Sequence, residues 1–139
     1  MVRGTVADPR ITTNTEKNTT VSSVGIKMNE NDFVELIQRT EEAFSEYQVE
    51  APLWDRSRVD LLGPDMAIEV DWSSKWAEGV GQALYYGVIA DRQSGLILLL
   101  KDGQSAKNRL YLMRAKAACM AAGVALFIYD CNERTFLNV

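Results

Sequence analysis

Residues Arg58–Trp72 read RVDLLGPDMAIEVDW. Arg58–Leu62 has the composition of a strand, Gly63-Pro64-Asp65 is a tight turn, and Met66–Trp72 is a second strand. Side chains of a strand alternate, so Ile68, Val70 and Trp72 share one face while Ala67, Glu69 and Asp71 share the other. Strands joined by a tight turn are neighbours, which sets Asp60 beside Glu69. Three carboxylates on one sheet face repel one another unless protons or a cation neutralise them, and a divalent metal is the usual resolution. The alternative is that one or more of them points to solvent at a strand end.

The segment that follows carries a second pattern. Ser73 or Ser74 caps a helix reaching about Gly87. At 100° per residue, Gly79, Gln82 and Tyr86 fall within about 40° of Lys75 and make one narrow stripe. Trp76, Val80, Ala83, Leu84 and Gly87 form an apolar stripe about 100° away, the one expected to face the sheet. A Lys–Gln–Tyr line beside the core stripe can lie along the carboxylates; an ordinary solvated helix face is the other reading.

Upstream, Tyr47, Val49, Ala51 and Leu53 alternate with polar residues as in a half-buried strand. A helix before it opens on an Asn29–Asp32 capping box with Met28 and Phe33 as a hydrophobic staple, and its apolar period runs to about Glu46. Downstream, Leu96–Leu100 and Val124–Tyr129 are short unbroken apolar runs, the mark of strands covered on both faces. Between them a helix starts at Ser105 and stops at Gly123. The order α-β-β-β-α-β-α-β predicts an α/β fold, a mixed central sheet flanked by helices, over residues 28–139. Residues 1–27 are polar and threonine-rich and read as a flexible leader. Within them, Asn18-Thr19-Thr20 matches a glycosylation acceptor by chance.

Composition narrows the chemistry. The chain has 139 residues, 47% hydrophobic and 24% charged, which is globular and sized for one domain. No apolar run approaches a membrane span and no secretory signal is visible, so a cytoplasmic protein is expected. It contains no histidine. Ser-His-Asp and Cys-His catalysis, histidine-bound zinc and histidine-ligated haem are thereby excluded. Cys119 and Cys131 are too few for a disulfide framework. Any metal must use oxygen ligands, which selects hard cations such as Mg2+ or Mn2+. The net charge of −4 conceals a division. Residues 30–78 are strongly acidic, whereas residues 92–116 set Arg92, Lys101, Lys107, Arg109, Arg114 and Lys116 against Asp102 alone. An acidic half suited to metal and a basic half suited to phosphate is one reading; solvated helix faces are the other.

Arg58-Val59-Asp60-Leu61-Leu62, Ile68-Glu69-Val70-Asp71 and Gln82-Ala83-Leu84-Tyr85-Tyr86, in that order, resemble the PD-(D/E)XK nuclease superfamily. The Gln82…Tyr86 pair is similar to the QxxxY element of its RecB-like members, and Holliday-junction-resolvase-like members belong to the same superfamily. The resemblance spans about residues 29–129 and implies a restriction-endonuclease-like αβββαβ(αβ) core. It implies Asp60 and Glu69 as metal ligands, joined by the backbone carbonyl of Val70, and a glutamate from the first helix near the metal. Glu41 flanks that helix's core face while Glu42 points away, so Glu41 is the expected one. Gln82 and Tyr86 would orient the phosphate or the metal's water shell. The lysine that the family places two residues after its acidic ligand is Asp71 here; Lys75 is the expected substitute, with Asp71 an added ligand or the sign of a disabled site.

The function implied is a Mg2+- or Mn2+-dependent deoxyribonuclease, structure-selective or nonspecific, in DNA repair, recombination or phage DNA processing. Arg58, Lys101, Lys107, Arg109, Arg114 and Lys116 would contact DNA phosphates. The resemblance also admits a homodimer. A different class, a catalytically inactive nuclease-fold module that binds nucleic acid or protein, follows if Asp71 disables the site. A third is a purely structural domain with Trp54, Trp72 and Trp76 as core or dimer anchors.

Overall fold

The computed structural model describes residues 27–138. The leader expected over residues 1–27, with its Asn18-Thr19-Thr20 triplet, lies outside the described residues except for Lys27. Helix α1 (Glu30–Thr40) opens on the expected capping box: the Asn29 side chain accepts the Asp32 N–H, and the Asp32 carboxylate accepts the Asn29 N–H. The helix buries Phe33, Val34, Leu36 and Ile37. It ends at Thr40, not near Glu46. The Thr40 hydroxyl donates to the Leu36 carbonyl at 2.7 Å, the local competition by which threonine weakens a helix. A single 3-10 turn, Glu42–Phe44, still buries Phe44.

Strands β1 (Gln48–Pro52), β2 (Arg58–Leu62) and β3 (Met66–Trp72) form an antiparallel meander. Helix α2 (Trp76–Ala90) then leads to β4 (Gln93–Leu100), and α3 (Ala106–Ala122) to β5 (Ala125–Asp130). Both crossovers give parallel pairs, and β6 (Thr135–Leu137) returns antiparallel to β5. The result is a six-stranded mixed sheet in the order β1-β2-β3-β4-β5-β6, flanked by three helices. Strand β6 lies beyond the expected elements, because three residues are too few to carry a readable period.

Helix α1 covers one face, on Leu61, Ile68, Val70, Ile97, Leu99 and Tyr129. Helices α2 and α3 cover the other, on Leu96, Leu98, Leu100 and Ile128. β4 is buried on both faces, which is why its sequence has no alternation. Trp72 packs edge-to-face on Phe33, centroids 6.0 Å apart, as its place beside Ile68 and Val70 requires. Trp54 is 79% exposed, its indole N–H donating to the Ile89 carbonyl, so it is no core anchor.

The start of α2 departs from expectation. Ser73–Lys75 forms a 3-10 turn and neither serine caps the helix. The Ser73 hydroxyl instead donates to Asn108 Oδ1 at 2.6 Å, a buried tie between this turn and the first turn of α3. Leu84, expected toward the sheet, is exposed, and Gly79 is buried in its stead. A Cβ at Gly79 would stand 3.0 Å from Leu96 Cδ1 and 3.4 Å from Asp71 Cβ. Glycine there lets α2 lie against the acidic face of β3.

Candidate functional site

The β2–β3 ladder has only two rungs, Leu61↔Ile68 and Leu62↔Ala67. The next would set Asp60 opposite Glu69, and there the pairing stops. Asp60 Oδ2 instead accepts the Val70 N–H at 2.8 Å, a side chain standing in for the backbone of a regular ladder. On the other side of Asp60, the β1–β2 pairing skips Glu50, which has φ 52°. A left-handed residue inside a strand is costly for any side chain but glycine. It changes the face presented: Val49 packs with the α1 side, whereas Ala51 joins Val59, Ala67, Tyr86 and Ala90. Asp60 thus sits where the sheet is irregular toward both neighbours.

Two carboxyl pairs line this opening. Glu69 and Asp60 are hydrogen-bonded to each other. Burial, and then the Asp60 charge, push the Glu69 carboxyl up to about 10, while burial raises Asp60 as well. The pair therefore holds a proton at neutral pH. Asp71 is 4% exposed. It hydrogen-bonds Glu30 in the first turn of α1, and its Oδ1 accepts the Trp72 N–H. Burial, followed by the bond to Glu30, lifts Asp71 to about 8, opposed by Lys75, whose charge acts on it in the other direction.

Helix α2 supplies the third side. The Tyr86 hydroxyl is raised by burial first and then by the charges of Glu69 and Asp60, so it faces that pair. Gln82, half-buried, lies one turn earlier on the same stripe, and Lys75 is exposed at the helix start. Asp60, Glu69, the Val70 N–H, Asp71, Lys75 and Tyr86 are accordingly brought to one region, whereas Gln82 is placed only by its helical position one turn before Tyr86.

Glu41 is not brought there. It caps the far end of α1, about 15 Å along the axis from the first turn. Its charge falls on the Tyr129 hydroxyl, which burial first and Glu41 second push upward. The helical angle does not apply to Glu41, whose backbone is extended at φ −101°, ψ 116° just past the helix end. Glu30 is the α1 carboxylate at the cluster. Its signal lay in the capping box, which fixes where the helix begins, but the direction of the helix across the sheet is a tertiary fact.

The basic residues divide. Lys101 Nζ stands 4.7 Å from the Trp72 ring centroid, and Lys101 lines one cavity with Glu30. Arg58 is exposed, 3.9 Å from Glu50. Lys107, Arg109, Arg114 and Lys116 are exposed on α3, a helix whose own sequence has no acidic residue. Arg109 and Lys116 border a groove floored by Leu112, Met113, Leu126 and Ile128.

Among the described residues, no three Asp, Glu or Cys side chains form a ready-made metal cage. The site offers a smaller set, the carboxyl groups of Asp60 and Glu69. Those donors are all oxygen, and their charge is held down only by a proton. This fits a hard divalent cation, which would replace that proton. Fold and site together define an α/β protein whose mixed sheet opens onto paired carboxylates. No family model matches the chain, and neither curated proteins nor solved structures give a match. No helix among the described residues is long and apolar enough to cross a membrane.

Proposed function

We propose that the protein is a Mg2+- or Mn2+-dependent nuclease of the PD-(D/E)XK type that hydrolyses phosphodiester bonds of DNA. One observation carries the reading: Asp60 and Glu69 are held against each other in the gap between β2 and β3, with Tyr86 of α2 facing them. Asp60 and Glu69 would hold the cation together with the Val70 carbonyl. The ion, when bound, supplies charge neutralisation at a phosphate oxygen and a lowered pKa for a coordinated water.

The chain's own groups do the rest. Asp60 and Glu69 release their shared proton as the site fills. Tyr86 and Gln82 offer hydrogen-bond donors from α2 and orient the phosphate. Lys75 brings positive charge from the Ser73–Lys75 turn, where it already acts on Asp71, and opposes charge developing on the phosphate. Asp71, buried and bonded to Glu30, keeps the neighbouring position neutral by holding a proton. Exposed cations on α3 give affinity for the backbone without reading bases.

The experiment is cleavage of supercoiled plasmid and of labelled single strands, with Mg2+ or Mn2+, beside an EDTA control and Glu69→Gln. Metal-dependent cutting that the variant lacks is expected. Absence of cutting by folded wild-type protein with either metal would overturn it. The second reading, a nuclease-fold module that binds nucleic acid or protein without catalysis, would then take its place. It is favoured by one specific observation: the position of the family's lysine is occupied by a buried aspartate.

A further inference from the structure

The parallel strands β3, β4 and β5 end at one edge of the sheet, and open α/β sheets place ligands outside such carboxyl ends. A cavity of about 570 Å3 lies there, between the start of α1 and the β5–β6 turn. Its walls combine two aromatic rings, Phe33 and Trp72, with three cations, Lys27, Lys101 and Arg134, and a single carboxylate, Glu30. The cation site and its α2 donors leave this cavity unused.

Each wall has a feature that suits a nucleotide. Phe33 braces Trp72 from the core side in an edge-to-face contact, which holds the indole in place. Lys101 covers the ring from an exposed, flexible stem, an arrangement that a stacked base can replace while the ammonium moves to its phosphate. Arg134 has φ 55°. Its N–H closes the turn onto the Asp130 carbonyl at 2.7 Å, and Asp130 Oδ1 accepts the N–H groups of Asn132 and Glu133. Glycine would occupy that left-handed position without strain, so what arginine adds there is a guanidinium at the cavity. Glu30 lines the cavity and also hydrogen-bonds Asp71, so cavity and carboxylate cluster are continuous.

We propose that this cavity seats one nucleotide of a single-stranded DNA end, its base stacked on Trp72 and its phosphate held by Lys101 and Arg134. The proposal rests on the nuclease reading for its substrate and deepens it: the chain engages an unpaired end, because a base can stack on Trp72 only when free of its partner strand.

The test is binding of a 5′-phosphorylated, 3′-fluorescein tetrathymidylate in EDTA, followed by anisotropy, for wild type, Lys101→Ala and Arg134→Gly. Arg134→Gly relieves the backbone and so separates loss of the side chain from loss of the fold. Saturable binding by wild type, weakened about tenfold in each variant, is expected. No binding by wild type, or wild-type affinity in both variants, overturns it. Plasmid cleavage by wild type separates the two claims. Cutting with unchanged affinity in the variants removes the cavity and leaves the nuclease; variant-sensitive binding without any cutting leaves the cavity and removes the nuclease.

Discussion

Within one sheet, β4 and β2 are built on opposite principles. β4 is paired along its length, to β3 from Gln93 to Leu99 and to β5 from Gly95 to Leu100, and its side chains Leu96–Leu100 are fully buried. β2 shares two rungs with β3, faces a left-handed Glu50 across β1, and places a carboxylate where the ladder fails. The first gives a rigid platform. The second gathers like charges that oppose folding. Stability and chemistry are thus assigned to different strands of one sheet, with β3 between them.

Substitution in each half should move stability in opposite directions. The largest effect belongs to the platform: Leu98→Ala removes a fully buried side chain and should destabilise the fold by about 3 kcal/mol in urea unfolding. A decrease below about 1 kcal/mol would show that β4 is not the rigid element.

At the carboxylates the sign reverses. The folded-state pKa of Glu69 lies near 10, above its ordinary value of 4.5. A carboxyl raised on folding costs nothing below the unfolded value and withdraws stability as pH climbs toward the folded one. The metal-free protein should therefore lose melting temperature between about pH 5 and pH 9. Glu69→Gln should flatten that slope and stabilise the protein by about 1–3 kcal/mol at pH 8, with little effect at pH 5. Equal slopes in wild type and variant would mean that Glu69 bears no such burden.

The smallest effect tests the irregular backbone. Glu50→Gly should be about 1 kcal/mol more stable than Glu50→Ala, since only glycine relieves φ 52°. Both substitutions also remove the exposed ion pair with Arg58, which is worth little and cancels in the comparison. Indistinguishable variants would show that Glu50 is unstrained.

Local physics accounts for what was legible in the sequence. The Asn29–Asp32 box, the Ser105 cap and Gly123 each act within one helical turn, and all three hold in the fold; Ser105 accepts the Asn108 N–H and Gly123 has φ 74°. The alternation that set Glu69 and Asp71 on one face also holds. What escaped depends on distant partners. Ser73 was free to cap α2 in sequence terms, but Asn108 claims its hydroxyl. Leu84 and Gly79 exchange expected roles because α2 approaches β3 closely enough to need a glycine. Glu30 replaces Glu41 because helix direction, not helix face, decides which end of α1 meets the carboxylates.

The most direct measurement is titration of the metal-free protein with Mn2+ at pH 7.5, following free Mn2+ by electron paramagnetic resonance in wild type, Asp60→Asn and Glu69→Gln. One saturable site per chain is expected, with binding lost in both variants, each of which melts no lower than wild type. Absence of binding in wild type, or binding that either variant retains, would contradict the assignment of Asp60 and Glu69 as a cation site.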